Sequence, residues 1–119
     1  MVLQQSPAKA AVYGITTAST GITSVNVSVI DNTNMSHVLY TVPAELNTVQ
    51  QPVGPEYVGM GDVTIYPTWK ALLNPMPLGG NYTIVASCAG CTQTGEFSVV
   101  NITNVTFGDV WHCSGQSNM

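Results

Sequence analysis

The sequence has 119 residues, of which 45% are hydrophobic and only 7% are charged. Two Lys+Arg against six Asp+Glu give a formal net charge of −4, which leaves no basic surface for phosphate groups and argues against nucleic-acid binding. The length allows one compact domain with a real core, and no apolar run approaches the ~18 residues of a membrane span.

Most of the chain is typical of short strands separated by turns. In residues 22–30, Val25, Val27 and Val29 alternate with Asn26 and Ser28, which is the pattern of a half-buried strand. Prolines and glycines over 43–61 predict a long loop. The predicted strands are 9–13, 22–30, 37–42, 62–66, 82–86 and 96–102. Their number and spacing predict an antiparallel β-sandwich.

Three cysteines leave one without a partner inside the chain. Cys88 and Cys91 flank a turn-like Ala-Gly, which favours a small loop disulfide in an oxidising compartment. No helix follows them, as a thioredoxin-like site would require, and no second pair or histidines complete a zinc site. Cys113 lies in an apolar run and is interpreted as a buried thiol, with a longer-range disulfide as the open alternative.

Five Asn-x-Ser/Thr sequons predict a glycoprotein. One or two would arise by chance in a chain so rich in Asn, Ser and Thr, but five favour a secreted or lysosomal protein. The N-terminus itself has no signal-peptide pattern, so a removed or unsequenced signal peptide is the expectation. The predicted glycosylation sites are Asn26, Asn34, Asn81, Asn101 and Asn104.

The last twelve residues carry the only pattern that points to catalysis. They read Gly-Asp-Val-Trp-His-Cys-Ser-Gly-Gln-Ser-Asn-Met over 108–119, an apolar strand signal followed by small and amide residues that favour a sharp turn. A serine at a sharp strand-to-helix turn exposes its hydroxyl, and backbone N–H groups at the helix start point toward the same place. Ser117 is therefore the candidate nucleophile.

This segment resembles the nucleophile block of the sialate O-acetylesterase family, within the SGNH class of serine esterases. The match runs unbroken to Met119, and the Gly-x-Ser-x-Gly of α/β-hydrolases is absent because Met119 replaces the second glycine. Two further stretches are similar to the family. They are Met1-Val2-Leu3-Gln4, and the spacing of Trp69, Leu73, Pro75, Gly79, Gly80 and Tyr82.

The resemblance implies a serine esterase mechanism in which Ser117 attacks an acetyl carbonyl. Gly115 permits close backbone approach, and Gln116 and Asn118 shape the turn. The implied base is a His activated by an Asp three residues earlier in the chain. This His, its Asp and the remaining oxyanion donors all lie outside this sequence. His37, His112 and Asp109 are interpreted as structural or surface residues and do not replace the missing base. Because two members of the catalytic triad are absent, the isolated chain is expected to be inactive.

The predicted fold is thus mainly β, in two parts. A β-sandwich-like domain covers 1–105, and 106–119 begin a truncated α/β (SGNH, flavodoxin-like) domain whose first strand contains Phe107, Val110, Trp111 and Cys113. The implied substrate is an O-acetylated sialic acid or another acetylated carbohydrate, without metal or cofactor. The alternative is a non-enzymatic, secreted carbohydrate-binding or adhesion module, favoured by the strand-rich and sequon-rich body.

Overall fold

A computed structural model describes residues 1–16, 22, 24–33, 35–47, 67–90 and 99–115. Within these residues the chain forms strands and turns and no helix, so none could cross a membrane. The strands are β1 (Val2–Gln4), β2 (Ala11–Ile15), β3 (Ser24–Asp31), β4 (His37–Pro43), β5 (Glu45–Asn47), β6 (Thr68–Leu72), β7 (Gly79–Ala89) and β8 (Val99–Gly108).

The strands form two sheets. The larger sheet has the order β1-β8-β7-β3-β4, and the smaller sheet has the order β2-β6-β5. All strand pairs are antiparallel except β1 and β8, which run in the same direction. The prediction of a mainly β fold is therefore confirmed, with one parallel pair added.

One apolar core joins the two sheets. Val27, Ile84 and Phe107 from the larger sheet and Val12 and Ala71 from the smaller belong to the same buried cluster. The period-2 alternation in β3 explains how this strand contributes to the core. Val25, Val27 and Val29 are at most 2% exposed, while Asn26 and Ser28 between them are half-buried. Two sheets over a shared apolar layer have the arrangement of a sandwich.

Most predicted strands are present with shifted ends. The strands expected at 9–13, 22–30, 37–42, 82–86 and 96–102 correspond to β2, β3, β4, β7 and β8. β5 lies inside the segment predicted as a loop, and β1 and β6 were not predicted. The strand expected over 62–66 lies outside the described residues.

The α/β part of the fold prediction is not confirmed, and one element of it is wrong. β8 continues through the expected boundary after residue 105 and ends at Gly108. Phe107 is 1% exposed and belongs to the β core, whereas 109–115 form no strand. Phe107, Val110, Trp111 and Cys113 therefore do not share a strand, because the long antiparallel pairing with β7 takes Phe107 into the sandwich.

Candidate functional site

The stretch that leads to Ser117 leaves the fold beside the first strand of the chain. β1 pairs in parallel with the end of β8, placing Val2, Leu3 and Gln4 opposite Thr106, Phe107 and Gly108. Because parallel strands end at the same edge of a sheet, the two chain segments that follow them emerge together. Two of the three stretches that resemble the esterase family are thus neighbours in space.

Gln4, the last residue of β1, and Gln5 hold the beginning of the terminal segment, residues 109–115. The Gln5 backbone N–H donates to the Gly108 carbonyl at 2.9 Å, and Gln5 Nε2 donates to Asp109 Oδ1 at 2.7 Å. The Val110 N–H donates to Gln4 Oε1 at 3.1 Å. Asp109 therefore acts as a hydrogen-bonding carboxylate, as interpreted from the sequence, and fixes the direction in which the chain leaves β8.

The third family-like stretch lies on the other side of β8. Gly79 is opposite Phe107, and the Ser6 N–H donates to the Met76 carbonyl at 2.7 Å. Gly80 has a φ of +83°, and a Cβ there would clash with the Tyr82 ring. That ring packs edge-on against Phe107, with centroids 5.3 Å apart. The two left-handed glycines at the start of β7, Gly79 and Gly80, thus leave room for the Tyr82 ring to pack against the strand that leads into the terminal segment.

From Val110 to Gly115 the chain is exposed. Trp111 is 85% and Val110 51% exposed, and His112 and Gly115 are also exposed. Cys113 is an exposed free thiol, so its interpretation as a buried thiol is wrong. Apolar composition alone predicted burial, but no described strand covers these side chains.

The predicted nucleophile itself lies outside the described residues, as do Gln116 and Asn118. Of the predicted turn, only Gly115 is described. The structure therefore shows how the approach to Ser117 is held and leaves the nucleophile assignment as a prediction.

His37 lies at the far end of the β3–β4 pair, opposite Asp31. Hydrogen bonds from the Thr33 hydroxyl and backbone N–H hold the pKa of Asp31 below its usual value, and the His37 charge adds to this. His37 is exposed and lies beside this local turn, far in sequence from the terminal segment. This agrees with its interpretation as a structural or surface histidine.

The predicted modification sites fall mainly on strands. Asn81, Asn101 and Asn104 are exposed, Asn26 is half-buried in β3, and Asn34 lies outside the described residues. Cys88 is disulfide-bonded, while Cys91 also lies outside the described residues, so the Cys88–Cys91 pairing stays a prediction, like the glycosylation sites. Among the residues with described positions, no three His, Cys, Asp or Glu side chains form a group that could hold a metal ion.

A groove on the smaller sheet is a feature that sequence reasoning missed. Its volume is about 600 Å³, and it is lined by Tyr13, Gly14, Ile15, Glu45, Asn47, Thr68, Trp69 and Lys70. The cross-strand register places Tyr13, Lys70 and Glu45 in one row and Ile15, Thr68 and Asn47 in the next. Only the pairing of β2, β5 and β6 brings these residues together, because they are scattered over three separate segments of the sequence.

Comparison with known proteins shows similarity to sialate O-acetylesterases. No protein-family model matches the sequence. The chain is 31% identical to the sialate O-acetylesterase of Rattus norvegicus and 34% identical to that of Homo sapiens, over its whole length in both cases. A match to the Pongo abelii sialate O-acetylesterase is 46% identical over 44% of the chain. The chain spans only 17% and 18% of the length of the rat and human relatives.

Proposed function

We propose that this chain, which belongs to the sialate O-acetylesterase family, is part of a carboxylic ester hydrolase that removes O-acetyl groups from sialic acids. The observation that carries the proposal is the similarity to sialate O-acetylesterases over the whole chain. The resemblance of residues 108–119 to the family's serine block supports it. Acetyl groups on other sugars are the second substrate class to test. The activity proposed is that of the full-length protein, to which this chain contributes the β domain and the nucleophile segment.

In the proposed reaction, Ser117 Oγ attacks the acetyl carbonyl carbon while a histidine base takes its proton. The tetrahedral oxyanion is held by backbone N–H groups at the turn. Its collapse breaks the bond to the sugar oxygen, which leaves with the proton from the histidine. Water then attacks the acetyl-enzyme, releasing acetate and restoring the serine. The histidine and its aspartate partner belong to the full-length protein beyond these 119 residues.

The β domain has a positioning role in this proposal. The hydrogen bonds from Gln5 to Gly108 and Asp109 and from Val110 to Gln4 fix the chain as it leaves β8. An esterase loses rate steeply when its nucleophile is displaced by about 1 Å. Anchoring the approach on the edge of a sheet supports a fixed position for the following turn, and the residues after Gly108, where β8 ends, are proposed as the start of the catalytic domain.

A secreted or lysosomal location is proposed for the full-length protein from its sequons. The exposed positions of Asn81, Asn101 and Asn104 are compatible with attached glycans. Treatment of the secreted full-length protein with an N-glycosidase, followed by mass spectrometry, would reveal each modified asparagine as an aspartate.

The test of the proposed function uses the full-length protein and two serine variants. We expect hydrolysis of 9-O-acetylated N-acetylneuraminic acid, measured as released acetate, and loss of about a thousandfold or more in kcat for Ser117→Ala. Ser114→Ala is the matched control, since Ser114 is an exposed serine of the same segment, and its kcat should change by less than about threefold. Acetylated xylan is assayed in parallel to identify the sugar class.

Two results would contradict the proposal at different points. Unchanged hydrolysis by a folded Ser117→Ala protein would reject the nucleophile and keep the activity. No acetate release from either substrate by the wild-type full-length protein would reject the activity itself.

A further inference from the structure

We infer that an apolar patch around the end of β8 is the surface on which the catalytic domain of the full-length protein docks. This exit patch consists of Val2, Leu78, Val110 and Trp111, which are 51%, 73%, 51% and 85% exposed. The inference rests on the proposed function in one respect, since it takes the residues after Gly108 as the start of that domain.

The side chains of the exit patch lie together although they come from three parts of the sequence. A Cβ on Gly108 would lie 3.2 Å from Val2 Cγ1 and 4.0 Å from Leu78 Cδ1. Gln4 shares a face of β1 with Val2, because side chains two positions apart on a strand point the same way. The Gln4 Oε1 accepts the Val110 N–H at 3.1 Å. These contacts connect Leu78 across the end of β8 to the first residues that follow it.

The β domain gains no core packing from these side chains. Its own core at this edge is supplied from the opposite face, where Phe107 is buried and Leu3 packs against the buried cluster. An apolar patch that remains in water is a frequent mark of an interaction surface. Other apolar side chains are exposed too, such as Tyr13 and Leu72 on the smaller sheet, but the exit patch adjoins the point where the chain leaves the β domain.

The occupant follows from the short tether between this patch and the proposed nucleophile. Ser117 is seven residues after Val110, so their Cα atoms are at most about 25 Å apart. A domain of about 200 residues has a radius of gyration of about 16 Å and is roughly 40 Å across. Because the tether is shorter than the domain is wide, a catalytic domain that contains Ser117 lies beside the edge from which the chain emerges.

A covalently attached domain also fits the small size of the exit patch. A separate protein partner needs roughly 800 Å² of surface on each side for stable binding, more than four side chains provide. An attached domain meets the patch at an effective concentration in the millimolar range, so a few apolar contacts suffice. The rat relative, of which the chain spans 17%, is long enough to contain such a domain.

The experiment is hydroxyl-radical footprinting of the full-length protein, with the oxidation of each residue measured by mass spectrometry. Rates are divided by those of the same residues in a tryptic digest. Trp111 and Leu78 are compared with matched side chains of the smaller sheet, Tyr13 and Leu72, which are 76% and 52% exposed. We expect Trp111 and Leu78 to be oxidised at least about fivefold more slowly than these controls, since side chains at the centre of an interface are desolvated.

A charge variant tests whether the two protected residues share one interface. Leu78→Asp places an unpaired carboxylate in the contact, which is costly without a partner, so oxidation of Trp111 should rise at least about threefold. Leu72→Asp, the matched control, should leave Trp111 protected. Leu78→Ser covers the case in which Leu78→Asp is not produced, and circular dichroism checks that each variant keeps its fold.

The inference is overturned if Leu78 reacts as fast as Leu72 and Trp111 as fast as Tyr13. Protection that is lost on dilution from about 50 μM to about 0.5 μM also overturns it, because a concentration-dependent contact belongs to a second copy. Loss of protection after N-glycosidase treatment overturns it in favour of a glycan on Asn81, three residues after Leu78.

The footprint and the hydrolysis test are independent in their outcomes. Oxidation rates do not depend on catalysis, so the Ser117→Ala protein should give the same footprint as the wild type. Protection of Leu78 and Trp111 without acetate release would keep the docking surface and reject the proposed activity. Acetate release without protection would keep the activity and reject the docking surface.

Discussion

The end of β8 and the segment that follows it have similar compositions and opposite surroundings. Phe107 is 1% exposed in the shared core, and Trp111, four residues later, is 85% exposed. The difference lies in pairing, because Phe107 has strand partners on both sides and 109–115 form no strand. An apolar sequence is buried only where the register gives it a covered face, so the β domain covers the end of β8 and leaves residues 109–115 exposed.

The largest test of this contrast compares the two aromatic residues. Phe107→Ala should lower the free energy of unfolding by about 3–5 kcal/mol, since it opens a cavity in a close-packed core. Trp111→Ala should change it by less than about 0.5 kcal/mol, since the removed ring is largely in water. Urea denaturation followed by circular dichroism measures both. Phe107→Leu, expected to cost less than about 1.5 kcal/mol, covers the case in which Phe107→Ala does not fold. Equal effects at the two sites would contradict the contrast.

A smaller effect is expected at the glycine turn that supports the Tyr82 ring. Gly80→Ala should lower the free energy of unfolding by about 2 kcal/mol or more, because it combines a left-handed backbone with a clash against a buried ring. Gly79→Ala is the matched control: its φ is +88°, but nothing lies within 4 Å of the new Cβ, so about 1 kcal/mol of backbone strain is expected. If the two variants unfold at the same urea concentration, the Tyr82 contact does not constrain the turn.

A local effect is expected where the terminal segment is anchored. Gln4→Ala removes the acceptor of the Val110 N–H, and a lost hydrogen bond of about 1.4 kcal/mol corresponds to roughly tenfold faster amide exchange at Val110. The Thr106 N–H, which donates to the Met1 carbonyl, is the internal reference and should keep its rate. Faster exchange at both amides would mean that Gln4 stabilises the whole β1–β8 edge and not the terminal segment alone.

The smallest effect concerns a polar group at the border of the core. The Tyr40 hydroxyl is buried and makes no hydrogen bond of ordinary geometry with the described residues. Burial raises the pKa of Tyr40, and the neighbouring Asn74 backbone opposes the rise only in part. Because the folded protein favours the neutral phenol, Tyr40 makes its full contribution to the free energy of unfolding below about pH 10, the pKa of an unperturbed tyrosine. It is lost as the pH rises through the higher pKa of the folded state.

Tyr40→Phe should therefore be neutral or slightly stabilising at pH 7, within about 1 kcal/mol, and should reduce the loss of stability above pH 10. Thermal unfolding of both proteins between pH 7 and 11 measures this. A lower stability of Tyr40→Phe at pH 7 would show that the hydroxyl has a bonded partner.

Sequence reasoning succeeded where local pattern and final environment agree. β3 was predictable because alternate valines face the core, and β4 because Pro43 marks its end. β6 was missed because outward-facing Leu72, 52% exposed, is apolar like its buried neighbours Ala71 and Leu73, so the sequence shows an apolar run instead of an apolar–polar alternation. β1 is three residues long and is formed by pairing with the distant β8, so no local signal could predict it.

The candidate site was predictable in part for the same reason. The residues that predict the serine chemistry are contiguous in the sequence, at 108–119, so the motif could be recognised without the fold. Its anchoring by Gln4 and Gln5 was not readable, because those residues join Val110 and Asp109 across separations of 106 and 104 positions. The groove was missed because its two rows depend on the register of three short strands.

The parallel pairing of β1 with β8 also sets an order for folding during synthesis. β1 leaves the ribosome about a hundred residues before its partner strand β8, and contacts of such long separation form slowly. Until then β1 presents an unpaired strand edge that is prone to aggregation. Pairing of β1 with β8 and anchoring of Asp109 and Val110 by Gln5 and Gln4 occur in the same late step, so a nascent chain acquires an anchored approach to Ser117 only once these two strands have paired.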